Sequence, residues 1–205
     1  VDRPWMVPPD NTSAISIGPY RTQVTLYRNR SEDSSVGIQL WAGGHDFVMD
    51  NNLTRRTGGL YARCCYVKKG GWLTKFIPCY FTQWLNNRVE QGFVYEQGHA
   101  LFGYLGFFYQ YWLKTFAGPD MPLMLANIFR GNDLHDNTRL ALTGQSPHEP
   151  GRAFLIENNT ISNSKVGLDI GPIKDLLLRN NRIDRCLVPM RDDGINTWIH
   201  PAERL

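Results

Sequence analysis

The chain has 205 residues, 42% of them hydrophobic and 20% charged, enough apolar material for one core and too much for a disordered or fibrous polypeptide. Its 22 basic and 19 acidic residues give a formal charge of +3 and are scattered along the chain, which argues against the concentrated basic face of a nucleic-acid binder. The longest apolar stretch, ALFGYLGFFYQYWLKTFAG from Ala100, is interrupted by Gly, Gln and Lys and falls short of the roughly 18 continuous apolar residues of a membrane span.

The N-terminal VDRPWMVPPD has neither an initiating Met nor the charged-then-apolar order of a signal peptide. The expectation is a chain whose leader has been removed, or a piece of a longer protein. From there a short pattern recurs: an Asn preceded by apolar residues at minus five and minus three, often with another at plus two. SAISIG from Ser13 reads as a strand of a first, incomplete unit. Asn29 follows with Val24 and Leu26, Asn52 with Phe47 and Met49, and Asn87 with Trp84 and Val89. Asn127 fits less well, with Met124 and Phe129. Asn159 has Phe154, Ile156 and Ile161, and Asn181 has Leu176, Leu178 and Ile183. Seven residues after the better anchors a second alternating strand begins: VGIQL from Val36, VGLDI from Val166 and VPMRD from Val188.

The anchor spacings are 23, 35, 40, 32 and 22 residues. A minimal unit of 22, made of short apolar-alternating strands between Asn or Gly turns, is what one turn of a solenoid requires. Equivalent strands then pair in parallel about 4.8 Å apart, and the inward Val, Ile, Leu and Phe stack into a continuous core. Asn suits the corners because it tolerates the left-handed conformation. The excess in the longer spacings places insertions at 63–79, 98–121 and 144–151, in a single domain over 1–205 that is part of a longer chain or assembly. The four cysteines have no paired metal spacing and read as reduced thiols. If one bridge forms, it joins Cys64 or Cys65 to Cys79.

Two outward columns follow from this frame. Four residues before each anchor the sequence reads Thr25, Val48, Gln83, Leu123, Leu155 and Leu177. Apolar residues at Leu123, Leu155 and Leu177 imply a face covered by the aromatic insertion or by another domain or chain. A partner is also expected over a solenoid end, whose strand edges would otherwise be open. Ten residues after the better anchors the column reads Gln39, Asp169 and Arg191, with Tyr61, Tyr95 and Ala141 aligned to it in the looser units, and Asp169 and Arg191 are neighbours forming an ion pair.

The pattern, through VTLYRNRSEDSSVGIQL, FVMDNNLTRRTGGLYA, FTQWLNNRVEQGFVYEQG and FLIENNTISNSKVGLDIG, resembles the right-handed, single-stranded parallel β-helix proteins of the pectate-lyase-like superfamily. The resemblance implies an all-β, right-handed parallel β-helix of about seven rungs. It also implies a secreted or extracytoplasmic protein that binds or modifies a polysaccharide, an acidic one among the candidates, in a groove on the solenoid side. Lyase, glycoside hydrolase and epimerase chemistries all occur on this fold, as do non-catalytic structural and adhesive modules that dock a partner.

Three motifs carry candidate chemistry. RDDG places Asp192 and Asp193 together, similar to the paired carboxylates of polygalacturonase-like hydrolases, though a turn or polar cap has the same sequence. DLHD, with Asp133, His135 and Asp136, is similar to the DPHD of β-helix alginate epimerases. There His135 would accept the sugar C5 proton while Arg130 or Arg139 neutralises the uronate. NNLTRRTGGLYARCCYVKK gathers Arg55, Arg56, Arg63, Lys68 and Lys69 as a cationic rim for an acidic glycan, and Tyr61, Tyr95 and Trp112 are candidate sugar-stacking rings. No cofactor is implied; Ca²⁺, common in lyases of this fold, has no clear carboxylate cluster here, and no His pair has zinc spacing.

Overall fold

The structure is a computed structural model that describes residues 15–17, 21–33, 37–40, 44–57, 59–69, 72–77, 79–91, 93–98, 124–136, 138–143 and 151–200. Trp112, Leu123, nearly all of the 98–121 insertion and residues 144–150 therefore lie outside the described residues. Among the described residues every regular element is a strand, and the strands form sheets of eight, eleven and six. Every pairing among the described residues is parallel except that of Leu60–Lys69 with Trp72–Ile77. That hairpin is built by the first insertion, whose opening residue Arg63 still continues the parallel ladder opposite Gln97.

Backbone corners explain why so many short strands arise. Among the described residues eighteen non-glycine residues have positive φ, and all fall into three columns five residues apart, as in Gln23, Arg28 and Asp33 or Asn158 and Asn163 after Ala153. Asn or Asp fills ten of the eighteen, residue types for which the left-handed region is least costly. Between corners only four residues remain, so two side chains face inward and two outward. The inward pairs are Val24 and Leu26, Phe47 and Met49, Thr82 and Trp84, Asn127 and Phe129, Phe154 and Ile156, and Leu176 and Leu178. Most of these are buried, and Trp84, Phe129, Ile156, Leu176 and Leu178 are fully so. Burying each such side chain stabilises by about 1.5 to 3 kcal/mol. The Trp84, Phe129 and Phe154 rings stack in series, with centroids 5.5 and 6.4 Å apart.

The double Asn motif has two distinct jobs. Asn51, Asn86, Asn158 and Asn180 take the left-handed corner. Asn52, Asn87, Asn159 and Asn181, immediately after, are buried in a ladder. In that ladder the Oδ1 of each Asn accepts from both the backbone N–H and the Nδ2 of the one before: Asn29 to Asn52, Asn52 to Asn87, Asn87 to Asn132, Asn132 to Asn159 and Asn159 to Asn181, at 2.8 to 3.1 Å.

The ladder corrects one sequence anchor. Its fourth member is Asn132, and the spacings are 23, 35, 45, 27 and 22. Asn127 lies five residues earlier, in the inward column of Phe47 and Phe154, where its Oδ1 accepts from Thr82 N–H at 2.9 Å. A polar pair in an apolar column, with Met124 and Phe129 nearby, gave Asn127 the look of an anchor. The outward column is correspondingly Thr25, Val48, Gln83, Ile128, Leu155 and Leu177, and it continues to Trp198, so Ile128 stands where Leu123 was expected.

The other column keeps its register from Gln39 through Tyr61, Tyr95, Ala141 and Asp169 to Arg191. Asp169 and Arg191 are register neighbours, but the carboxylate of Asp169 is engaged at 3.0 Å by Arg139, which reaches it from the strand on the other side.

Candidate functional site on the outer face of the six-stranded sheet

The six-stranded sheet stacks Arg30–Glu32, Leu53–Arg55, Arg88–Glu90, Asp133–His135, Thr160–Ser162 and Arg182–Asp184 in parallel. Each strand follows a ladder Asn and is three residues long, so its middle residue faces the core (Ser31, Thr54, Val89, Leu134, Ile161, Ile183) and the flanking two face out. DLHD therefore forms a strand and a corner, with Leu134 fully buried and Asp133 and His135 on the outer face.

Register places Glu90 opposite His135 on one side and Arg55 on the other, and Arg88 opposite Asp133. Arg55 grips Glu90 through both ends of its guanidinium, Nε to Oε2 and Nη2 to Oε1, the latter at 3.0 Å. Arg88 Nε adds a bond to Glu90 Oε1 at 2.8 Å and lies 3.9 Å from Asp133 Oδ2. The Glu90 side chain is only 11% exposed. Its hydrogen bond from Arg55 pulls its pKa down to about 2; burial opposes the shift, and the charges of Arg55, Arg88 and His135 reinforce it.

His135 is held at one nitrogen. Nδ1 lies 3.0 Å from Asp136 Oδ2, within hydrogen-bond reach, whereas Nε2 is 3.6 Å from Glu90 Oε1, beyond it. The imidazole is thus oriented through Nδ1, and Nε2 is left uncommitted by Glu90. Asp136 occupies a left-handed corner that Asn163 supports with a bond at 3.3 Å. An oriented imidazole beside a carboxylate and two guanidinium groups can move a proton and hold an anion.

Two sequence motifs that looked separate converge here. Asp133, His135 and Asp136 share the face with Arg55 and Arg56. Arg88 and Glu90, which sequence reasoning missed, complete it; the one-and-three offset from the ladder Asn is the signal that finds them. The same register separates other candidates. Arg130 and Arg139 lie on different sheets and hold Glu157 and Asp169. Glu157 is buried between Arg130 and Arg179; burial raises its pKa, but bonds from both guanidinium groups win and the net shift is downward. Lys68 and Lys69 sit on the hairpin arm, Arg63 in the eight-stranded sheet, and Tyr61 and Tyr95 are paired there. Asp192 Oδ1 accepts from Gly194 N–H at 2.8 Å and Thr197 Oγ1 at 3.0 Å, which makes RDDG a turn cap away from His135.

Arg55 and Arg56 of the cationic rim are paired with carboxylates, as is neighbouring Arg30. Arg56 forms a two-bond pair with Asp33 at 2.6 and 2.7 Å, Arg30 bonds Glu32 at 2.7 Å, and Arg55 is held by Glu90. Among the described residues no group of three or more His, Cys, Asp or Glu is placed to hold a metal ion. No helix of the described residues is long and apolar enough to cross a membrane. No family model, no curated protein and no solved structure matches this chain.

Proposed function

We propose that the chain is a right-handed parallel β-helix of about seven rungs, of the pectate-lyase-like kind. In this reading it is a secreted carbohydrate-active protein that acts on an acidic polysaccharide across the outer face of the six-stranded sheet. The observation that carries the reading is the convergence of His135, Asp136, Glu90, Arg88 and Asp133 on two adjacent strands. His135 Nε2 takes the proton from C5 of a uronate, with Nδ1 fixed by Asp136, and the C5–H electron pair passes into the substrate carboxylate as an enolate that either expels the C4 oxygen, protonated by water, or is reprotonated at C5 by water from the opposite face. Arg88, its side chain 56% exposed, faces the substrate carboxylate, while Glu90 stays ionised and holds Arg55 and Arg88 in place.

The test is turnover of polygalacturonate and alginate, followed by absorbance of unsaturated uronate and by NMR for inversion at C5. His135→Gln is expected to lower kcat by about 10² to 10⁴-fold, the usual contribution of a positioned base, and Arg88→Gln to raise KM. Wild-type protein inert toward both polymers, or a fully active His135→Gln variant, defeats the proposal.

A second reading, a non-catalytic module that docks a partner, is favoured by one feature. Leu177 and Trp198, neighbours in an outward column, are 38% and 67% exposed. Co-purification of a partner that Trp198→Glu abolishes would support it.

A further inference from the structure

We propose that Phe81, Tyr80 and the His45–Asp46 pair form a second contact site, for a neutral pyranose, on the eleven-stranded sheet. The site takes its ligand class from the carbohydrate reading above but shares no residue with the His135 face. Phe81 has φ of 57° and is 45% exposed. A bulky ring in the left-handed region is strained, and an exposed ring recovers little of that cost by burial. Its column otherwise holds Gln23, Asp46, Ala126, Ala153, Asp175 and Asn196, all small or polar. Phe81 is therefore the one member of the column that the fold does not ask for.

What surrounds it suits a sugar. The Tyr80 ring meets Phe81 edge-on, with centroids 6.1 Å apart. Tyr80 is the register partner of His45, and Asp46 N–H donates to Tyr80 O at 3.1 Å, so the imidazole and carboxylate lie one strand spacing from the rings. His45 Nδ1 and Asp46 Oδ2 are 2.7 Å apart and both side chains are about half exposed. An aromatic shelf receives the C–H face of a pyranose, and the His45–Asp46 pair offers hydrogen bonds to its hydroxyls. The Asp46 carboxylate disfavours a uronate, which is why the ligand is assigned as neutral.

The experiment is affinity electrophoresis of the full chain in native gels containing hydroxyethylcellulose or galactomannan, with thermal unfolding of the same variants. Wild-type protein is expected to be retarded by at least one polymer. Phe81→Ala is expected to weaken retardation by about tenfold or more, the worth of one stacked ring. Phe81→Trp should retain it, and Phe81→Gly should lose it while raising Tm through relief of the left-handed strain. Ala126 and Ala153 occupy the same column, so the fold accepts alanine there. His135→Gln should remain retarded, which separates this site from the uronate site. No retardation in either polymer, retardation of Phe81→Ala equal to wild type, or a Tm of Phe81→Gly lowered as for a core residue overturns the proposal.

Discussion

Replacing Asn132 by Ala is the most direct test of the ladder that sets the register of the repeats. Its side chain makes four bonds: Oδ1 accepts from Asn87 N–H and Asn87 Nδ2, each at 3.0 Å, and Nδ2 donates to Trp84 O and to Asn159 Oδ1, each at 2.8 Å. Asn87 and Asn132 are 0% and 1% exposed, so water cannot substitute without opening the core. Alanine leaves two buried donors without these partners, Asn87 N–H and one Nδ2 proton of Asn87, while the carbonyl of Trp84 keeps its place in the parallel ladder with the neighbouring strand. Asn159 Oδ1 keeps its bond from the backbone N–H of residue 132. At about 1 to 3 kcal/mol for each stranded donor the loss is about 2 to 6 kcal/mol, a large share of the about 5 to 15 kcal/mol of a typical domain. Urea unfolding followed by circular dichroism reads this as a fall in midpoint at constant m. The control is Asn51→Ala, which changes the other member of a double Asn. Asn51 is an exposed left-handed corner, and its replacement should cost about 1 kcal/mol. A cost for Asn132→Ala below about 1 kcal/mol, or equal costs for the two variants, refutes the division of labour between the paired asparagines.

Three further outcomes follow from the same geometry. Glu90 has a pKa of about 2 in the folded chain against 4.5 as its ordinary value. Its contribution is therefore fully present above pH 4.5 and is lost as pH falls through about 2. Glu90→Gln should flatten the stability profile across that window, and an unchanged acid limb counts against the Arg55–Glu90–Arg88 cluster. Gly37 has φ of 73° and a Cβ there would lie 2.3 Å from Gly59 O, a backbone atom that cannot swing aside. Gly37→Ala is accordingly expected to lower Tm by several degrees or to prevent folding, and a neutral effect by thermal unfolding would contradict the close packing of these two strands. Phe129→Ala removes a fully buried ring stacked between Trp84 and Phe154 and should cost about 3 to 5 kcal/mol by the same urea assay.

The repeat was legible because its strongest signals are local. Asn159 and Asn181 with their apolar residues at minus five and minus three sit 22 residues apart, and the ladder joins these two side chains at 2.9 Å. The Gln39-to-Arg191 column was readable for the same reason: alternation in a strand fixes which residues share a face. Reading failed where an inward position is polar. Asn127 and Thr82 occupy a column that is apolar elsewhere, where the Thr82 backbone N–H donates to Asn127 Oδ1, so no periodicity of hydrophobic residues separates Asn127 from the true anchor Asn132. The five-residue interval between left-handed corners was equally hidden, because Arg28, Arg56, Phe81, Gln91 and Arg185 hold corners that composition does not announce. Missing that interval is what left Arg88 and Glu90 out of the candidate site.

The half-exposed charges of the His135 face, unlike buried Glu90, owe their arrangement to stacking and contribute little to it. Leu134 and Val89 anchor the two strands in the core and are fully buried, whereas Arg88 and Asp133 on the same strands are about half exposed at their side chains. Outward columns can therefore vary while the inward column holds the backbone, and charges 35 to 45 residues apart in sequence meet one strand spacing apart. Partly exposed ion pairs of this kind are worth about 0 to 1 kcal/mol, so Arg88→Gln and Asp133→Asn should unfold at nearly the wild-type urea concentration. That near-neutrality makes the functional test clean, because a lost activity in either variant reports on the chemistry of the face rather than on the fold beneath it. A large drop in stability for Asp133→Asn would instead mean that the face is there to hold the strands together, and the uronate reading would lose its footing.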